Sequence, residues 1–161
     1  MIKNNKWIRH VKSIFLIVLI ISVVTVGAFF IQGQYEKAKI KTIRTNMSNI
    51  ELKAIEKINK QKADGDDITY IGTKLSDFED EKSIVTELLE KDVITEEECE
   101  KYYLLSDEDL LTLGTGVSNE EGSSYIINYE TKEVIISSGC VINEKTLYKL
   151  SDIVNEDKTQ D

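Results

Sequence analysis

Residues Ser13 to Tyr35, SIFLIVLIISVVTVGAFFIQGQY, contain no charged side chain. Ile14, Phe15, Leu16, Ile17, Leu19, Ile20, Ile21, Phe29 and Phe30 make most of this run apolar. As a helix it would be about 34 Å long, which exceeds a bilayer core of about 30 Å. The expectation is a transmembrane helix over residues 13–35 that anchors everything after it. A secretory signal peptide is the rival reading, with small residues at Val26-Gly27-Ala28. Phe29, Phe30 and Ile31 prolong the apolar run past that point, which favours an anchor that is retained.

The 161 residues carry a net charge of −9, unevenly spread. Residues 1–12 hold Lys3, Lys6, Arg9 and Lys12 and no acid, a basic head expected on the cytoplasmic side. Residues 36–62 hold eight bases against three acids, whereas residues 63–161 hold 26 acids against eight bases. So acidic a distal region repels phosphate backbones, and nucleic acid is excluded as a partner. It suits a solvated extracytoplasmic surface. Membrane lipid is the partner that the apolar run implies.

Beyond the span, Ile40, Ile43, Met47, Ile50, Ala54 and Ile58 recur at steps of three and four, and the chain has no proline. The spacing predicts that the helix continues to about Lys62. The stripe has two readings, a short coiled-coil seam or the face on which the distal domain packs. It spans fewer than three heptads, which favours packing against the chain's own domain. Ala63-Asp64-Gly65-Asp66-Asp67 then ends the helix in a turn.

The distal domain, residues 63–154, reads as α+β. Ser83 to Lys91 has a helical apolar face. Thr95 and Glu98 are spaced as a capping box, which predicts a helix carrying Cys99, Tyr102 and Tyr103 on one side. Ser106 precedes another short turn, Asp107 to Leu113, stopped by Gly114. Tyr125, Ile127 and Tyr129 alternate as a strand does. Glu130-Thr131-Lys132 forms a turn, Glu133 to Ser137 returns, and Lys132 occupies the left-handed position. Asn143-Glu144-Lys145 makes a second tight turn before Thr146 to Leu150. A last helical turn starts at Ser151, and residues 155–161 read as a flexible tail.

Candidate chemistry is sparse. The single histidine, His10, lies in the basic head, so the distal domain has no imidazole base. Cys99 and Cys140 are the candidate disulfide of an exported domain, or else two buried thiols. Neither sits in a C-x-x-C pair, and two thiolates do not complete a zinc site. No phosphate-binding, dinucleotide-binding or metalloprotease motif occurs. The expectation is a non-enzyme with no cofactor, no metal and no evident small-molecule substrate. Tyr102, Tyr103, Tyr125, Tyr129 and Tyr148 read as core edges with wet hydroxyls rather than as a contact surface.

The organisation resembles that of type IV pilins and type II secretion pseudopilins: a basic head, one membrane helix running into a soluble amphipathic helix, and a small domain ending in antiparallel strands. The local pattern Tyr125-Ile-Ile-Asn-Tyr-Glu-Thr-Lys-Glu-Val134, with Gly139, Asn143-Glu-Lys-Thr-Leu-Tyr148 and Leu150-Ser-Asp152, is similar to the "YIVNYETGEV" hairpin and "GKTYYSLDEL" close of pilin-like proteins of Gram-positive bacteria. The resemblance implies an α+β pilin-like fold. It also implies partners that are other pilin-like or assembly subunits, met through the N-terminal helix, in a type IV pilus or type II secretion-like apparatus. One departure is plain. Lys12-Ser13-Ile14-Phe15 lacks the glycine of a prepilin leader, and the span lacks the family's glutamate. An anchored accessory or structural relative fits better than a processed filament subunit. The competing expectation is a bitopic adaptor with an acidic extracellular head, unrelated to pili.

Overall fold

The stripe Ile43, Met47, Ile50 and Ala54 forms one wall of the main hydrophobic core. The computed structural model describes the backbone of residues 4–78 and 82–158, and the side chains of residues 34–78 and 84–156. The chain divides into two units, Met1–Lys39 and Ile40–Asp161. Helix α1, Asn4–Asp64, supplies the described backbone of the first unit and the opening element of the second. The second unit continues with β1 (Thr73–Lys74), α2 (Lys82–Glu90), β2 (Tyr102–Leu105), α3 (Asp107–Leu113), β3 (Tyr125–Asn128), β4 (Val134–Ile142), β5 (Lys145–Lys149) and α4 (Leu150–Lys158). The protein is thus α+β, with a long N-terminal helix and a five-stranded antiparallel sheet in the order β1-β2-β3-β4-β5.

Strand register assigns each face of the sheet. Leu105 pairs with Tyr125 and Tyr125 with Ile136, while Tyr103 pairs with Ile127 and Ile127 with Val134. Side chains alternate between faces along a strand, so these residues share one face, which α1 covers. Leu110 and Leu113 of α3 and Leu150 and Ile153 of α4 complete that core. The intervening residues Ile126 and Ile135 face the other way. There they join Tyr102, Leu75, Leu88, Val93, Ile94 and Cys99 in a second, smaller cluster. Central strand β3 is therefore buried on both faces along its whole length.

Several elements depart from the sequence expectation. The capping box of Thr95 and Glu98 forms, but it opens only a 3-10 helix, Glu96–Glu100. The next residues pair with β3 as strand β2, so Tyr102 and Tyr103 point to opposite faces instead of sharing a helix side. Burying YYLL between two layers outweighs the local helical signal, as tertiary context often does. Strand β4 runs on to Ile142, past the expected end at Ser137. Helix α4 continues to Lys158, in place of the flexible tail expected from residue 155, because Leu150 and Ile153 dock it on the core. Strand β1 is only two residues long and has no counterpart in the sequence expectation.

The turns explain how the meander closes. Lys132 has φ 66°, in the left-handed region that a side chain disfavours. The Asn128 carboxamide offsets that cost by accepting from the backbone N–H groups of Glu130 and Thr131, at 2.9 and 3.2 Å. Asn143 and Glu144 both have positive φ (51° and 65°), the geometry of a two-residue hairpin loop that matches strand twist.

Between Ile135 and Cys140 the β4–β5 register shifts. Gly139 sits in this irregularity with φ +69°, and a Cβ there would lie 2.5 Å from Thr146 Cγ2 and 2.9 Å from Tyr148 Cε1. Gly139→Ala meets both backbone strain and crowding from β5. Urea unfolding should show a loss of about 1–3 kcal/mol; an unchanged midpoint would mean that the bulge relaxes freely. On α1, Met47→Ala should cost about 2–5 kcal/mol, since Met47 is fully buried. Leu52→Ala, at a position 60% exposed, should stay within about 0.5 kcal/mol in the same measurement.

Candidate functional site

The residues expected to work in function fall into three groups. The anchor set, Ile14, Phe15, Leu16, Ile17, Leu19, Ile20, Ile21, Phe29 and Phe30, lies outside the residues whose side chains are described. Among the described residues no helix is long and apolar enough to cross a membrane. The packing stripe is brought together: Ile43, Met47, Ile50 and Ala54 are buried, with Ile40 and Ile58 partly buried against the same cluster. That face is covered by the chain's own sheet and is not an open seam.

The two cysteines are kept apart. Both are buried and neither is in a disulfide. Cys140 belongs to the cluster beneath α1, whereas Cys99 belongs to the cluster on the opposite face of the sheet. The layer of strands between them is the physical reason that the candidate bridge does not form. Cys99 donates to the Thr95 carbonyl at 3.6 Å. Burial, with the nearby Glu96 charge, pushes its thiol pKa up, which lowers its nucleophilicity at neutral pH.

The tyrosines divide by depth. Tyr102, Tyr125 and Tyr129 are buried, and Tyr103 and Tyr148 are half-buried. Tyr129 organises the chain that leaves α1. Its hydroxyl donates to the Ile71 carbonyl at 2.7 Å and accepts from the Ile71 N–H at 3.3 Å. Tyr70 stacks on the Tyr129 ring (centroids 4.8 Å apart, planes 11° apart), and both meet Tyr103 edge-on at 5.4 Å. Gln61 adds a tie from α1, its Nε2 donating to Thr69 Oγ1 at 2.6 Å. Residues 66–71, which have no regular structure, are thereby strapped across the sheet edge. Ile68 and Tyr70 remain exposed on this strap. Tyr70 carries no alternating or helical signal in the sequence; only its place between two elements could draw notice to it.

A shallow groove of about 400 Å³ lies between the end of α1 and α3. Lys53, Glu56, Lys57, Lys60, Gln61, Asp64, Asp66, Thr112 and Leu113 line it. Lys53 bonds Glu56 at 2.8 Å, and with Lys60 it holds that carboxyl below its ordinary range. Cations and carboxylates alternate along the groove, so it presents no single charge to a ligand. Among the described residues no group of His, Cys, Asp and Glu could hold a metal ion. The described ion pairs lie at the surface, where each contributes little.

Among the described residues, the candidate site comprises the covered α1 stripe, the strap at Tyr70 and Tyr129, and the shallow groove of mixed charge. Scans against protein-family models, curated proteins and solved structures find no match.

Burial of the phenols has a consequence for their ionisation. It pushes Tyr102 up to about 12, with the Glu98 and Glu133 charges adding to it, and raises Tyr129 as well. In the unfolded chain these phenols ionise near pH 10. Below pH 10 both states are protonated and the stabilisation is fully present. Between about pH 10 and 12 the unfolded state is ionised while native Tyr102 stays neutral, so stability must fall as pH rises. Phenolate absorbance should show a lagging class of tyrosines that ionises only as the fold melts. A titration in which all the tyrosines ionise together near pH 10 would contradict this packing.

Proposed function

We propose that the chain is a membrane-anchored, non-enzymatic, pilin-like surface protein, an accessory or structural component of a type IV pilus or type II secretion-like assembly. In this reading residues 13–35 span the membrane, the basic head stays in the cytoplasm and the acidic domain stands outside. The observation that carries the reading is the use made of α1. One stripe of its second half, Ile43 to Ala54, is the core of a small domain built on an antiparallel meander. A helix whose earlier residues form an uncharged apolar run, and whose later residues nucleate the domain, suits a protein held at a membrane. The closing pattern Tyr125 to Val134 lies on β3, its turn and the start of β4, which agrees with the hairpin that the resemblance implies.

The role is structural in this reading. The distal unit has no histidine, its two thiols are buried on opposite faces, and its broad groove mixes both charges. Such a surface supports contact and assembly rather than bond-making.

Fractionation tests the reading. The full chain should stay in the membrane pellet after an alkaline carbonate wash. Affinity capture from detergent extracts should enrich pilus or secretion assembly subunits. Release by carbonate would remove the anchor, and enrichment of receptors or enzymes alone would favour the adaptor reading instead.

A further inference from the structure

The stretch just beyond the apolar run has a charge pattern that topology does not explain. Residues 36–44 hold Lys37, Lys39, Lys41 and Arg44 against one acid, Glu36. Cations directly after a span oppose export of the chain beyond it. The bases therefore work against the orientation proposed above. They also stand apart from the bulk of the region that follows, where acids outnumber bases by 28 to 12 over residues 45–161.

We infer that Lys37, Lys39 and Lys41 bind anionic lipid headgroups at the surface where the helix leaves the bilayer. This inference rests on the anchor reading and names the lipid class that the anchor contacts. Tyr35 closes the uncharged run and is 70% exposed, as suits a ring at the headgroup level. All three lysines are exposed, which leaves their ammonium groups able to reach phosphate. Lys41 lies six residues beyond Tyr35, about 9 Å along a helix axis. The Debye length at physiological salt is about 8 Å, so Lys37 and Lys39, at about 3 and 6 Å, keep their attraction and Lys41 keeps part of it. Arg44 is about 13 Å along and contributes less. Each lysine in that layer favours an anionic surface by about fivefold.

Spin-labelled lipids test the contact on the full chain reconstituted into mixed phosphatidylcholine and phosphatidylglycerol vesicles. Labelled phosphatidylglycerol should associate with the protein several-fold more than labelled phosphatidylcholine. High salt should abolish the preference. Lys37→Gln/Lys39→Gln/Lys41→Gln should reduce it by about threefold or more, whereas Lys3→Gln/Lys6→Gln/Lys12→Gln in the head should leave that share of it in place. A chain that floats with the vesicles but shows no preference overturns the headgroup contact and leaves the anchor standing. A preference lost only in the head variant overturns it equally. A chain that does not float overturns the anchor, and the contact with it.

Discussion

Burial of one helical stripe beneath an antiparallel sheet is the interaction on which the distal unit depends. Met47 and Ile50 are fully buried, Ala54 nearly so, and Ile43 lies within the same cluster. Each large side chain hidden there contributes about 1.5–3 kcal/mol. Ala54 adds little area of its own, being the smallest buried member of the stripe. Everything else in the unit is arranged around this contact. The meander presents Tyr125, Ile127, Val134 and Ile136 to it, while α3 and α4 close its borders with Leu110, Leu113, Leu150 and Ile153.

The second face of the sheet gives this small domain its mixed character. A sheet covered on one side alone would show polar residues at alternate positions of its central strand. Here β3 is YIIN, buried throughout, because α2 and the 3-10 turns around Leu75 and Cys99 cover Ile126 and Ile135. The cover is made of short elements held by few side chains, Leu88 foremost. It has much less apolar area to bury than the α1 side, so local opening should begin there rather than beneath the helix. The same layering keeps Cys99 from Cys140 and leaves the fold without a covalent staple. The described fold is held by packing and hydrogen bonds.

How much of the fold is legible in the sequence depends on the same physics. The stripe on α1, the helical turn between Ser106 and its Gly114 stop, and the hairpin with a left-handed Lys132 are legible because each is a local signal that tertiary structure reinforces. Tyr102-Tyr103-Leu104-Leu105 reads as helical because a strand buried on both faces has no period of two to reveal it. Strand β1 and the strap at Tyr70 are illegible for another reason: they exist only through Leu104, Tyr103 and Tyr129, which come 29 or more residues later. The uncharged run over residues 13–35 is plain in composition, and its side chains lie outside the described residues.

Charge adds a constraint that packing does not impose. The domain's acids are spread over exposed turns and helix starts, where their pairing with lysines is loose, as with Lys74 and Glu100 at 3.7 Å or Lys101 and Glu130 at 3.4 Å. An excess of this size works against compactness through self-repulsion. The chain meets it with a buried core on each face of the sheet. The α1 stripe is one wall of the larger core, so removing the helix would leave the acidic domain with its self-repulsion and without its main apolar contact. From Ile40 onward α1 and the meander therefore belong to one compact unit.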